Sequence, residues 1–190
     1  MTEERKAKGR RGPLHLFVDN SNVLIEGRRY AEARRKGRAK LGKYKDDSYE
    51  IDWGKFIYVI KQKDTRYLAE IPILYGSRPP DEDSVWRRIR EDGFDVKLFD
   101  RNIRNKEKGT DVEMGMDIAE RILTVTPAQV IVIAAGDADY VPAVTRASTK
   151  GWRIEVWFWS NAAVELKNVA TKFYPFEEHF DFLRLGGGVV

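Results

Sequence analysis

The chain contains no cysteine and only two histidines among its 190 residues. Disulfides, thiolate metal sites and a cysteine nucleophile are therefore excluded, and no plausible Ser-His-Asp or Cys-His arrangement is seen. There is no apolar run near the ~20 residues that a membrane span requires. The charged opening MTEERKAKGRRGP lacks the apolar core of a secretory signal. A soluble, intracellular and most simply cytoplasmic protein is expected, with no membrane partner. No G-x-x-x-x-G-K-[ST] loop occurs, which argues against a nucleotide-binding switch.

What is present is charge, unevenly spread. The net charge of +4 conceals two basic blocks, residues 1–12 at +3 and residues 28–45 at +8, so the rest of the chain stands at −7. An acidic body with basic attachments is the pattern of a polyanion binder, nucleic acid being the commonest partner. A solvated tail and a solubilising loop are the plainer account of the same blocks. At 42% hydrophobic composition the chain is long enough to bury one full core.

Strand-like and helix-like segments alternate. The segments 14–19, 67–76, 95–101, 129–136 and 153–159 are short apolar runs of strand length. Trp53, Phe56, Ile57 and Ile60 have helical spacing, as do Val112, Met116, Ala119 and Leu123. After PPDEDS, Val85, Trp86 and Ile89 continue a helix to Gly93, and a last helix is expected over 163–172. This alternation predicts a three-layer α/β/α fold with a mostly parallel central sheet of about five strands. The expected layout is a basic tail over 1–12, one domain over 13–182 carrying a basic insertion over 28–50, and a flexible glycine-rich tail over 183–190. The insertion shows no periodicity and reads as a functional flap or as disorder.

In an open parallel sheet, ligands bind beyond the carboxyl ends of the strands. Asp19 closes the first strand in FVDNSN, and Asp137 closes the fourth in IVIAAGDAD, followed by Asp139. On the helix NKEKGTDVEMGMDIAERIL, Met114, Ile118, Ile122, Ala119, Val112, Leu123 and Met116 cover an apolar arc that includes Asp111. That places Asp111 on the buried side of the first turn and Asp117 at the flank of the polar face. Clustered carboxylates raise one another's pKa unless a cation compensates. An all-oxygen donor set suits Mg²⁺ or Mn²⁺. Taken singly, Asp111 and Asp139 could cap helices, and Asp19 and Asn22 could close a turn.

The residues FVDNSN, KGTDV followed by MD, and AAGDADYVPAV, in this order over 13–175, resemble the NYN domain family of PIN-like metal-dependent nucleases. GSRPP and the Asp-Arg-Asn after the third strand also look like variants of that family. The resemblance implies a metal centre of Asp19, Asp111, Asp137 and Asp139, with Asp117 contributing and Asn22 as polar support. It implies hydrolysis of RNA phosphodiesters, single-stranded RNA being preferred, with 5′-phosphate and 3′-hydroxyl products. Alanine at 135 stands where many members have serine, and the basic insertion is longer than in a minimal domain. Arg28, Arg29, Arg34, Arg35, Arg78, Arg101 and Lys108 are the cations expected to guide the phosphate backbone. Alternatives are an inactive RNA-binding or protein-interaction module on the same fold, and a metal-dependent phosphatase. A homodimer is compatible with the sequence, which does not decide it.

Overall fold

The computed structural model describes residues 11–62, 65–78, 83–100 and 109–187. The strands are β1 (Arg11–Asp19), β2 (Arg66–Leu68), β3 (Ile73–Arg78), β4 (Asp95–Asp100), β5 (Val130–Ala134), β6 (Arg153–Phe158) and β7 (Lys172–Pro175). They form one sheet in the order β4-β3-β1-β5-β6-β7, with β2 beside the first half of β1, and every pairing is parallel. The helices are α1 (Asn20–Arg35), α2 (Trp53–Ile60), α3 (Asp83–Glu91), α4 (Thr110–Thr124), α5 (Val141–Thr149), α6 (Val164–Val169) and α7 (Phe180–Leu183). Among the described residues no helix is long and apolar enough to cross a membrane.

The α/β architecture follows from the runs that announced it. Ile131, Val132, Ile133 and Ala134 of β5 are all fully buried, as a central parallel strand covered on both faces requires. The strand count is seven rather than five, for two local reasons. The run 67–76 is split into β2 and β3, because Leu68 lies opposite Leu14 and Ile73 opposite Phe17, so five steps of this segment face three of β1, and Pro72 within the excess has no N–H to give. The expected helix over 163–172 stops at Val169, and β7 follows as an edge strand whose Tyr174 ring stacks on Trp157 at 4.2 Å. Neighbouring aromatic surface decides that segment, and no periodicity announces it.

The stretch 28–50 also differs from expectation. Residues 28–35 continue α1, and the segment beyond it folds back: Asp46 N–H bonds Arg28 O, and Tyr49 is fully buried against the Phe180 and Trp159 rings. The glycine-rich end is likewise anchored as far as residue 187. Leu185 N–H bonds Glu50 O, and the Lys55 ammonium donates to Gly187 O at 2.8 Å. Residues 1–10 of the basic tail lie outside the described residues.

Candidate metal centre

Asp19 is the last residue of β1 and the N-cap of α1, and it is 7% exposed. A buried carboxylate needs donors, and these come from both directions along the chain. Oδ1 accepts from the Ser21 hydroxyl and the Asn22 N–H, each at 3.0 Å, while Oδ2 accepts from the Tyr140 hydroxyl at 2.9 Å. Asn22 uses its own Oδ1 to take the Gly136 N–H at 2.8 Å, which ties the start of α1 to the loop after β5. Gly136 has no alternative there, since a Cβ would overlap the Phe158 ring.

That loop carries the next two acids. Asp137 caps the 3₁₀ turn Ala138–Tyr140, its Oδ1 accepting the Asp139 N–H at 3.3 Å, and both aspartates are exposed. Tyr140 is the pivot. Burial first, then the charge and hydrogen bond of Asp19, and then the charges of Asp111 and Asp137, hold its hydroxyl protonated far above the ordinary tyrosine range. The charges of three carboxylates, from β1, α4 and the loop after β5, are thus felt by one buried phenol.

Asp111 reaches this place from the first turn of α4, which begins after Gly109 at φ +96°, a left-handed geometry that favours glycine. Its side chain is exposed, not buried as the apolar arc predicted. The buried stripe of α4 is narrower: Thr110, Met114, Ile118 and Ile122. Val112, Met116 and Leu123 are 60%, 62% and 74% exposed, because the sheet covers only one side of a helix that is apolar on two. The polar flank turns inward instead. Asp117 accepts from the Lys97 ammonium at 2.6 Å and from the Tyr75 hydroxyl, and Glu113 stands 3.4 Å from the same ammonium. The Asp117 carboxylate expected as a metal contributor therefore has a lysine for a partner. Burial alone would lower the Lys97 pKa, but Asp117 and Glu113 outweigh it and raise it.

Lys97, Tyr75 and Asp19 stand in register across β4, β3 and β1. They share one face of the sheet, with Lys97 about 10 Å from Asp19 at two strand spacings. Neither Lys97, Tyr75 nor Tyr140 was expected at the site. Tyr140 lies inside the quoted motif, yet nothing in a single sequence distinguishes its ring from core filling.

The expected guiding cations divide. Arg28 donates to Tyr49 O and pairs with Asp47; Arg29 pairs with Glu26 at 2.5 Å. Arg34 holds Asp181 at 2.9 Å and lies over the Phe180 ring, and Arg35 holds Glu32 at 2.5 Å. All four are thus held in ion pairs along α1. Arg35 is also 16 residues from Asp19 along the chain, about 24 Å of helix. Arg78 is exposed at the carboxyl end of β3. Arg101 and Lys108, with the Asp-Arg-Asn segment beyond Asp100, lie outside the described residues.

Among the described residues no three His, Asp or Glu side chains stand close enough together to enclose a metal ion as they are. Nor do Asp111, Asp137 and Asp139 form an ion pair with any described residue. The donor set is all oxygen, as a hard divalent cation requires, and the two histidines lie elsewhere. His15 is held by Glu70 and Gln129, and His179 lies beside Trp157.

Comparison with known proteins bears on the whole of this edge. A family model described as the NYN domain matches residues 13–177. No curated relative matches the chain. A solved structure of a protein of unknown function from Vibrio parahaemolyticus is similar in fold, with a TM-score of 0.66 at 19% identity over 97% of this chain and 100% of that one.

Proposed function

Because the chain belongs to the NYN domain family, of PIN-like nuclease fold, we propose that it is a metal-dependent endoribonuclease that hydrolyses phosphodiester bonds of single-stranded RNA. One observation carries the reading. Asp19, Asp111 and Asp137, from three elements, all act electrostatically on the Tyr140 hydroxyl, which Asp19 also accepts from, and among the described residues no lysine or arginine pairs with the exposed members. Buried acids elsewhere in the molecule have cationic partners, Glu32 and Glu155 among them.

Mg²⁺ or Mn²⁺ held by Asp19, Asp111 and Asp137, with Asp139 beside them, would lower the pKa of an attacking water and stabilise charge on the attacking and leaving oxygens. The chain's own residues supply orientation. Tyr140, Ser21 and the Asn22 N–H fix both oxygens of Asp19, as outer-shell donors do for ligating carboxylates. The Asn22–Gly136 bond holds the Asp137 loop against α1. Lys97, half-exposed and kept charged by Asp117 and Glu113, offers a cation near the carboxylates for a substrate phosphate. The preference for RNA over DNA and the 5′-phosphate, 3′-hydroxyl products rest on the family's fold.

Cleavage of end-labelled single-stranded RNA and DNA in Mg²⁺, Mn²⁺ or EDTA, with Asp137→Asn in parallel, tests the proposal. Metal-dependent RNA cutting that the variant loses supports it. RNA binding without cutting in any metal overturns it in favour of an inactive binding module, the reading that the open spacing of the acids would then favour.

A further inference from the structure

Beside the carboxylates, α4 and α5 enclose a groove of about 390 Å³ with Asp111 and Asp139 at one end and Arg146 at the other. Arg146 is exposed and forms no ion pair with a described residue. It lies seven residues beyond Asp139, about 10 Å of helical rise if the 3₁₀ turn is counted with α5. Between these charged ends the lining is apolar. Val112 and Met116, 60% and 62% exposed, form one wall, and Pro142 and Ala143 form the other. Leu123, 74% exposed, extends the apolar stripe further along α4.

Large apolar side chains left in water beside a polar centre mark a binding surface more often than scattered exposure does. The occupant must combine flat apolar faces with an anionic backbone, since it lies on Val112 and Met116 and ends at Arg146. A single-stranded nucleic acid has both, whereas a duplex hides its base faces in the stack. An apolar face of a second copy of the chain would cover Asp111 and Asp139 without giving them a cation, at a desolvation cost. Resting on the nuclease reading above, we infer that this groove is the subsite for the nucleotides flanking the cut, bases on the Val112–Met116 wall and a phosphate on Arg146.

The test is binding of labelled single-stranded RNA in EDTA, where nothing is cut, followed by fluorescence anisotropy over a range of salt. Val112→Ser with Met116→Ser is expected to weaken binding about tenfold. Arg146→Met is expected to reduce the salt slope by about one. All three substitutions are at exposed positions, and circular dichroism checks the fold. Affinity and slope unchanged in both variants overturn the inference. So does a concentration-dependent dimer in sedimentation that Met116→Glu dissolves while RNA affinity stays the same; that outcome assigns the surface to a second copy. Cutting in Mg²⁺ is measured alongside. A wild type that cuts RNA but binds it no better than the variants sinks the groove alone. Groove-dependent binding without cutting sinks the nuclease reading and keeps the groove only as an RNA-binding surface. Neither binding nor cutting sinks both.

Discussion

Two charged regions of this molecule are arranged in opposite ways. Along α1 and the segment folded back on it, cations that looked free in the sequence have carboxylate partners: Arg28 with Asp47, Arg29 with Glu26, Arg34 with Asp181, Arg35 and Lys36 with Glu32. At the carboxyl edge of the sheet, Asp111, Asp137 and Asp139 have no cation among the described residues. Along α1 the charges are matched in pairs, whereas at the sheet edge they are not. Charge density in the sequence marks the first region, and unbalanced charge in the structure marks the second.

Replacing one open charge is the strongest way to break this contrast. Asp137→Asn should lower RNA cleavage about 10²-fold or more in the end-label assay. Its exposure predicts a Tm unchanged or slightly raised as repulsion is relieved; unfolding at the assay temperature would contradict the comparison. A closed charge should behave in the reverse manner. Arg66 and Glu155 are each 3% exposed and 2.6 Å apart, so Arg66→Met orphans a buried carboxylate. The expected loss is about 3 kcal/mol by urea unfolding, the low end of the range for such pairs, because Arg153 still holds the other Glu155 oxygen. Cleavage by the protein that is still folded should be unaltered.

A third measurement sharpens the open side. Mg²⁺ at ten times its Kd should stabilise the wild type by about 1.4 kcal/mol, a few degrees of Tm, and Asp137→Asn should show less. Equal shifts in both would place the ion elsewhere. The smallest effects belong to the surface pairs of α1. Arg34→Ala should cost less than about 1 kcal/mol and leave the salt slope of RNA binding untouched; a reduced slope would restore the basic segment as a phosphate contact. Acid should dissolve these pairs in a defined order of sign. The hydrogen bonds from Lys36 and Arg35 to Glu32, and from Ser48 to Asp46, lower both carboxyl pKa values in the fold from 4.5 and 3.8. Their contribution is complete above those ordinary values and drains as pH falls through the lowered ones, so the penalty of Arg35→Ala should shrink below about pH 4 in acid melts.

The elements most legible in the sequence were those whose residues are dictated by burial on both sides. β1, β5 and β6 read directly, as their apolar runs have no other use. α2 read from its spacing. The width of the apolar face on α4 misled, because helical periodicity registers which residues are apolar and not which of them another element covers. β7 and the fold-back after α1 were invisible for a related reason: both are held by long-range aromatic contact, Tyr174 on Trp157 and Tyr49 on Phe180, which no local window contains.

By itself the sequence determined the parallel α/β class, the placement of Asp19 and Asp137 at the carboxyl edge of the sheet, and the oxygen-only chemistry available there, since strand length, topology rules and residue type are local quantities. Only the tertiary structure decided which charges are compensated. It gave Asp117 to Lys97 and Tyr75, the arginines of α1 to their carboxylates, and Asp19 to Tyr140. The physical reason is distance: a Coulomb or hydrogen-bond partner acts over a few ångströms. Residues 19 and 140, or 97 and 117, become neighbours only when the sheet brings their strands and helices into contact.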